Sequence, residues 1–133
     1  MSAQDSIIRI AAALIEDEEG RLLLVRKRNT DAFMQAGGKM EPGEAPEAAL
    51  VRELQEELGQ LPDHLEPLGI FTAPAANEPG HQIEAHVYRA CMTGELQAAA
   101  EIEELCWVTT EEAELLPLAP LTRDHLLPLV ATV

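Results

Sequence analysis

Residues 37–60 read GGKMEPGEAPEAALVRELQEELGQ, and this stretch carries most of the structural and chemical information in the chain. Its second half predicts a helix over residues 46–58. Pro46 suits the first turn of a helix, where its missing N–H would have no partner, and Gly59 suits the left-handed residue that ends one. An apolar stripe at helical spacing marks the side that faces the core: Val51, Leu54 and Leu58.

Three carboxylates share a second face of this predicted helix. Glu53, Glu56 and Glu57 stand at i, i+3 and i+4, within an arc of about 100° beside the apolar stripe. Like charges at this spacing destabilise a helix by a few tenths of a kcal/mol per pair, and a hard divalent cation such as Mg²⁺ offsets that repulsion. The trio alone fits either a metal site or a solvated acidic face, so its surroundings decide between the two.

The residues around the helix favour the metal site. Gly37 and Gly38 precede it and offer backbone groups that a phosphate or a metal can approach without a Cβ in the way. Glu44 lies in the intervening loop and can reach the same end of the helix. Arg52 neighbours Glu53 and can pair with a carboxylate through its guanidinium fork.

Taken together, this pattern resembles the Nudix box, G-x5-E-x7-R-E-U-x-E-E-x-G-U, in which U is a bulky aliphatic residue. Gly38, Glu44 and the run from Arg52 to Gly59 fill its positions, and only Gln60 departs from it, at a packing position. The resemblance implies a Nudix-type α/β/α sandwich, with a mixed sheet, the box helix on one side and the C-terminal helix on the other. It also implies hydrolysis of a phosphoanhydride bond in a nucleoside diphosphate linked to another group, with Mg²⁺, or Mn²⁺ as a substitute.

The resemblance implies a role for each charged residue of the box. Glu53 and Glu57 would be the main metal ligands, and Glu56 an additional ligand. Arg52 would orient Glu53, which could also act as the base on the attacking water. Glu44 would hold these groups in position without binding the metal itself. Diphosphate hydrolysis suits such a site because it needs charge neutralisation and an in-line nucleophile.

Many members of the family draw a further carboxylate, as ligand or base, from a loop before the last strand. Glu101, six residues before Trp107, resembles the spacing in the MutT-like branch and is the favoured candidate here. Glu103 and Glu104 are the alternatives. The two of these three carboxylates that do not serve the site would be solvated charges on the surface.

Four of the nine basic residues flank the two glycines and are candidates for binding phosphate. On a strand, Arg26 and Arg28 share one face and Lys27 points to the other. We expect these groups to contact the substrate's phosphates: Arg28, Lys39, Gly37 and Gly38. Met34 and Gln35, just before the glycines, are candidates for the wall of a nucleobase pocket.

The rest of the chain predicts an α/β or α+β layered domain. The first two strands surround a polar turn ending in Gly20 and are expected to form a β-hairpin. The predicted strands cover residues 6–15, 21–28, 33–36, 65–73, 82–92 and 105–108. A short helix is expected to begin within residues 110–115, and a C-terminal helix is expected over residues 122–130.

Composition narrows the class of partner. The 133 residues predict one domain over residues 1–133, and 24 acidic against 9 basic residues give a net charge of −15. Such a chain is repelled by nucleic-acid polymers and anionic membranes, which leaves a small-molecule nucleotide as the expected partner and leaves a homodimer open. Cys91 and Cys106 lie in apolar stretches and are expected to be buried, inert thiols of a cytoplasmic protein.

The expected function is Mg²⁺-dependent hydrolysis of a (d)NTP or a modified dNTP to a nucleoside monophosphate and pyrophosphate. An ADP-ribose or nucleotide-sugar pyrophosphatase is the alternative, because Pro74 lies near where relatives that cleave ADP-ribose carry a proline. An alternative of another class is a catalytically silent nucleotide-binding module. The sequence leaves the exact substrate, the number of metals, the identity of the general base and the oligomeric state open.

Overall fold

A computed structural model describes residues 7–130; Ser6, the first residue of the first predicted strand, lies outside this range. The secondary structure consists of seven strands, two α-helices and a helical C-terminal segment within the described residues. The strands are β1 (Ile7–Leu14), β2 (Leu22–Lys27), β3 (Phe33–Met34), β4 (Ala36–Lys39), β5 (His64–Pro74), β6 (Gln82–Cys91) and β7 (Ile102–Val108). The helices are α1 (Pro46–Leu58) and α2 (Thr110–Ala113), and the C-terminal segment (residues 122–129) combines a π-helical turn, Thr122–Leu126, with a 3-10 turn, Leu127–Leu129.

The strands form two sheets. The first has the order β4-β1-β6-β5, and the second the order β3-β2-β7. β1 runs parallel to β6 and antiparallel to β4, so the first sheet is mixed, whereas the second is antiparallel throughout. The expected α/β class with a mixed sheet is confirmed.

The β-hairpin expected between the first two strands is wrong. β1 and β2 belong to different sheets, and they pair only next to the turn, where Glu16 bridges Leu22 and Leu23 N–H donates to the carbonyl of Ile15 at 2.9 Å. Both strands contain continuous buried runs rather than alternating ones. β1 pairs with β4 along one edge and with β6 along the other, so neither edge is left for β2.

Alternate residues of β1 face two different layers, as strand geometry requires. Ala11 and Ala13 pack in one cluster with the buried side of α1. Ala12 and Leu14 pack in two other clusters with residues of the C-terminal segment. The helix α1 and the C-terminal segment therefore lie on opposite sides of the first sheet, in the arrangement that the resemblance implies.

The helix α1 has the predicted bounds, but its buried side is rotated slightly from the expected stripe. Leu50, Leu54 and Leu58 are fully buried at i, i+4 and i+8, and Val51 is only partly buried. Gly59 ends the helix in the left-handed conformation, with φ of 79°, and its N–H donates to the carbonyl of Gln55.

The single strand expected over residues 33–36 is two short strands in different sheets. Phe33–Met34 pairs with β2, Ala36–Lys39 pairs with β1, and Gln35 lies at the crossover. Gly37 makes the second pairing possible, because its φ is 135° and a Cβ on it would overlap the carbonyl oxygen of Ala11.

The remaining predicted elements are present with shifted ends. β5 and β6 agree with the prediction to within one residue, and β7 begins three residues early. The start of α2 carries a capping box between Thr109 and Glu112. The expected C-terminal helix is broken into two short turns because Pro128 lacks an N–H and its ring obstructs a regular helix.

The expected burial of both thiols is wrong. Cys91 is exposed and Cys106 is partly buried. Cys91 is the last residue of β6 and follows the buried Ala90, so strand alternation turns its side chain toward solvent. Within residues 7–130, no helix combines the length and the apolar character that crossing a bilayer requires.

The packing of α1 predicts a large effect from one substitution. Leu54→Ala removes a fully buried side chain from the core cluster that joins α1 to β1, and we expect it to lower the free energy of unfolding by about 2–5 kcal/mol. Leu61→Ala is the matched control, since Leu61 is 53% exposed, and it should change stability by less than about 0.5 kcal/mol. Urea denaturation measures both, and equal effects would contradict this packing.

Candidate functional site

Glu57 is the most buried charged residue of the site. Its side chain lies on the buried side of α1, and the residue is 2% exposed. Oε1 accepts a hydrogen bond from the backbone N–H of Gly37 at 3.1 Å, whereas Oε2 is buried and has no partner in the described part of the chain. Burial raises the pKa of Glu57 to about 8, against the opposing effect of the Gly37 N–H.

Glu53 lies one helical turn before Glu57, with 13% of its side chain exposed. Its Oε2 accepts a hydrogen bond from Arg52 Nη1 at 2.8 Å. Its Oε1 is so close to Gly38 that a Cβ at that residue would overlap it. Burial raises the pKa of Glu53, although the charge of Arg52 opposes the rise.

Arg52 joins the loop before α1 to the carboxylates of the helix. Its Nε and Nη2 donate to the two oxygens of Glu44 at 3.0 and 2.9 Å, and Nη2 also donates to the carbonyl of Lys39 at 3.1 Å. Because of the hydrogen bonds from Arg52 and from the N–H of Glu41, the pKa of Glu44 is lowered to about 2. Arg52 therefore contacts both Glu44 and Glu53, as the resemblance implies.

A polar cleft opens in front of Glu53. The charged residues that line it are Lys27, Arg28, Lys39, Glu53, Glu78 and Glu101, together with Thr30, Gly38 and Asn77. The structure thus brings three of the expected phosphate contacts, Arg28, Gly38 and Lys39, to the cleft together with the favoured extra carboxylate of Glu101. Gly37, the fourth, lines the adjoining cavity instead.

The acidic residues near this cleft are already paired with cations. Lys27 Nζ is 3.3 Å from Glu101 Oε1, Arg28 Nε is 3.7 Å from Glu103 Oε1, and Arg26 Nε is 2.7 Å from Glu104 Oε1. Glu101 lines the cleft, whereas the two alternative carboxylates accompany the arginines. Glu56, expected as a metal ligand, has 54% of its side chain exposed and lies 3.9 Å from Arg52 Nη1.

The carboxylates of the site suit a hard divalent cation, although in this structure the expected ligands do not surround one metal position. Within residues 7–130, no three His, Cys, Asp or Glu side chains are grouped so that they could hold a metal ion. The counter-charges of Glu53 and Glu101 come instead from Arg52 and Lys27. Oxygen ligands are those that Mg²⁺ prefers, and the unpartnered Oε2 of Glu57 is a buried polar atom that a cation would satisfy.

An apolar cavity of about 120 Å³ adjoins the cleft. The two spaces share Lys27, Gly38, Lys39, Asn77 and Glu78. The apolar wall of the cavity is formed mainly by Ile8, Ile10, Met34, Pro74, Ile83 and Leu121. Gln35 lines the same cavity, so Met34 and Gln35, the two candidates for the wall of a nucleobase pocket, both lie at one apolar space.

Sequence reasoning missed two charged residues of the site. Lys27 was expected to point away from Arg28, but it lines both the cleft and the cavity. The ladder between β2 and β7 shifts register between Arg26 and Lys27, which ends the simple alternation on which that expectation rested. Glu78 lies 2.9 Å from Lys39 Nζ, and it comes from the loop between β5 and β6, whose sequence carries only a turn signal.

Comparison with known proteins identifies the family. The model of the NUDIX domain matches residues 7–130. The chain belongs to the Nudix family. The interpretation of the box as that of a Nudix hydrolase is therefore confirmed, and the family generally uses divalent metals such as Mg²⁺.

Individual relatives carry names of different pyrophosphohydrolases. A CTP pyrophosphohydrolase of Escherichia coli is 39% identical over 119 residues, which cover 86% of this chain and 84% of the relative. An ADP-ribose pyrophosphatase of Methanocaldococcus jannaschii is 32% identical over 98 residues, which cover 71% of this chain and only 58% of the relative. Among solved structures, a MutT NUDIX hydrolase of Burkholderia pseudomallei has a TM-score of 0.76 at 25% identity and covers 95% of this chain and 98% of that one.

The buried carboxyl of Glu57 predicts a pH dependence of stability. Its folded pKa of about 8 exceeds the usual value of 4.5, so the folded chain binds more protons between these pH values. The free energy of unfolding should therefore fall as pH rises through this window, by at most about 1.4 kcal/mol per pH unit. Glu57→Gln removes this titration, so in the presence of a chelator the variant should gain stability over the wild type from pH 5 to pH 8. Parallel pH profiles in urea denaturation would contradict the burial of Glu57.

Proposed function

We infer that this Nudix protein hydrolyses a nucleoside triphosphate to the monophosphate and pyrophosphate with Mg²⁺. One observation carries the proposal: the carboxylate of Glu53 lines a polar cleft that continues into an apolar cavity, and the buried carboxyl of Glu57 accepts a hydrogen bond from Gly37 in the wall of that cavity. The cleft offers cations and carboxylates for a polyphosphate, and the cavity offers an apolar surface for a nucleoside.

The proposed metal ligands are Glu53 and Glu57, with Glu56 and Glu101 as further carboxylates. A bound Mg²⁺ would supply positive charge that neutralises the polyphosphate and stabilises the negative charge on the leaving group as the phosphoanhydride bond breaks. Arg52 holds Glu53 in place and is itself held by Glu44. This arrangement leaves Glu53 Oε1 without a bond from Arg52.

We assign to Glu53 the role of general base. Its Oε1 would accept the proton of the attacking water, and its burial supports this role because a desolvated carboxylate binds a proton more readily. Lys27, Arg28 and Lys39 line the cleft and would face the phosphates, in exchange for their present carboxylate partners. Catalysis by such a site consists mostly of positioning and electrostatic stabilisation.

The nucleoside would occupy the apolar cavity. Its position next to the cleft suits a ligand whose base is apolar on both faces and whose sugar leads to charged phosphates. The name of the E. coli relative, a CTP pyrophosphohydrolase, favours a nucleoside triphosphate, while the name of the archaeal relative keeps ADP-ribose as the second candidate. Pro74 lines this cavity and does not separate the two.

A substrate panel with a matched variant tests the proposal. The wild type with Mg²⁺ should release pyrophosphate and a monophosphate from at least one of the common nucleoside triphosphates or their oxidised forms, with products identified by mass. Glu57→Gln should remove most of this turnover and keep the fold, because it deletes a ligand and leaves a neutral side chain of the same shape. Glu111→Gln, an exposed position on α2, should change neither.

Other results of the panel would overturn the proposal. Turnover of ADP-ribose with none of the triphosphates would establish the second candidate. Tight nucleotide binding without turnover of any compound would establish a silent binding module. Full activity of Glu57→Gln with unchanged Mg²⁺ dependence would refute the role of the box carboxylates.

The contact between Gly38 and Glu53 gives a separate prediction. Gly38→Ala places a Cβ where Glu53 Oε1 now lies, so Glu53 must move, and turnover should fall by about 10- to 100-fold. Stability should change by less than about 1 kcal/mol, because the displaced atoms are the end of a flexible side chain.

Gly20→Ala provides the opposite pattern as a control. Gly20 has open space around it but a φ of 80°, and it lies in the turn between β1 and β2. Its substitution should lower stability through backbone strain and leave turnover unchanged. Unchanged turnover in Gly38→Ala would show that the position of Glu53 does not matter to the reaction.

A further inference from the structure

A buried polar pair joins Gln35, which lines the apolar cavity, to Thr122, which does not. Gln35 is 7% exposed, Thr122 is 0% exposed, and the hydroxyl of Thr122 donates to Gln35 Oε1 at 2.6 Å. The two residues come from distant parts of the chain, the crossover between β3 and β4 and the start of the C-terminal segment. Burying polar groups among apolar ones is costly unless they are bonded, so the pair fixes both side chains in one arrangement.

This arrangement determines which end of the Gln35 amide faces the cavity. The single hydroxyl hydrogen of Thr122 is directed at the amide oxygen, so the oxygen is turned toward Thr122 and the nitrogen away from it. Among residues 7–130, Gln35 Nε2 donates no hydrogen bond to a side chain or a backbone group, whereas the amide oxygen is held by Thr122. Because Gln35 lines the cavity, the amide nitrogen is the group that it offers to a ligand there.

Gln35 lines the cavity but not the cleft in which the phosphates would lie. Lys27, Gly38 and Lys39, by contrast, line both the cavity and the cleft. When the phosphates of a nucleotide occupy the cleft, its base extends into the cavity. The edge of the base that is farthest from the sugar then lies deepest in the cavity. That edge carries position 4 of a pyrimidine or position 6 of a purine.

We propose, on the basis of the proposed function, that Gln35 is a specificity-determining residue that Thr122 orients. Its amide nitrogen selects bases that present an oxo group, rather than an amino group, at pyrimidine position 4 or purine position 6. An oxo group accepts a hydrogen bond from the amide. An amino group would place two donors against each other among apolar side chains, and both would lose their partners.

Binding of nucleoside monophosphates to the wild type tests the proposal independently of turnover, because these probes have no phosphoanhydride bond. Calorimetry should give UMP at least about a tenfold higher affinity than CMP, and GMP a similar advantage over AMP. Equal affinities, a preference for the amino partner, or no binding of any probe would overturn the assignment. A failure of the proposed function would appear separately, as the absence of turnover in the substrate panel.

Variants separate recognition from a structural role. Gln35→Glu replaces the donor by an acceptor of similar shape, so it should shift the preference toward CMP and AMP, and Gln35→Met should abolish the preference. Thr122→Val removes the hydroxyl that orients the amide and should weaken the preference, whereas Thr122→Ser keeps the hydroxyl and should retain it. A preference that survives both Gln35→Met and Thr122→Val in folded protein would refute the role of the pair.

Discussion

The close approach of α1 to the backbone of β4 is the constraint on which the site depends. Gly37 and Gly38 have no Cβ, so β4 can pair with β1 on one side and meet the carboxylates of α1 on the other. The N–H of Gly37 then bonds to Glu57, and Glu53 lies directly against Gly38. A Cβ at Gly37 would overlap the carbonyl oxygen of Ala11 in β1, and a Cβ at Gly38 would displace the carboxylate of Glu53. The same approach removes water from both carboxylates, which raises their pKa values and favours proton or metal binding.

The cleft is richer in cations than the chain as a whole. A net charge of −15 repels polyanions at long range, yet the cleft gathers Lys27, Arg28 and Lys39 next to the carboxylates. Each of these cations is already paired with a carboxylate at 2.9 to 3.7 Å. Exposed ion pairs of this kind contribute little stability, so little free energy is lost when a phosphate replaces the carboxylate as the partner of the cation. The arrangement favours a small ligand that reaches into the cleft over a long polymer that must also approach the acidic surface.

The parts of the site that the sequence predicts are those encoded by local spacing. Glu53 and Glu57 meet because they lie one turn apart on one helix, and Arg52 reaches Glu44 across a short loop. The hairpin between β1 and β2 was predicted wrongly because a turn signal does not reveal which sheet each strand joins. Lys27 was misplaced because a register shift at a strand end depends on the partner strand. The crossover at Gln35 likewise depends on pairing between distant segments.

The carboxylates of the box and the apolar wall of the cavity come from different parts of the sequence. In the proposed function, the carboxylates of the box and Arg52 act on the phosphoanhydride, which nucleoside triphosphates and ADP-ribose share. The wall of the cavity comes instead from β1, the crossover at Gln35, the β5–β6 loop and the chain around Leu121, and most of these segments lie outside the box. Substitutions there can change the group that is bound without disturbing the carboxylates. Selectivity must therefore be read from side chains such as Gln35 and Thr122, whose contact is visible only in the folded chain.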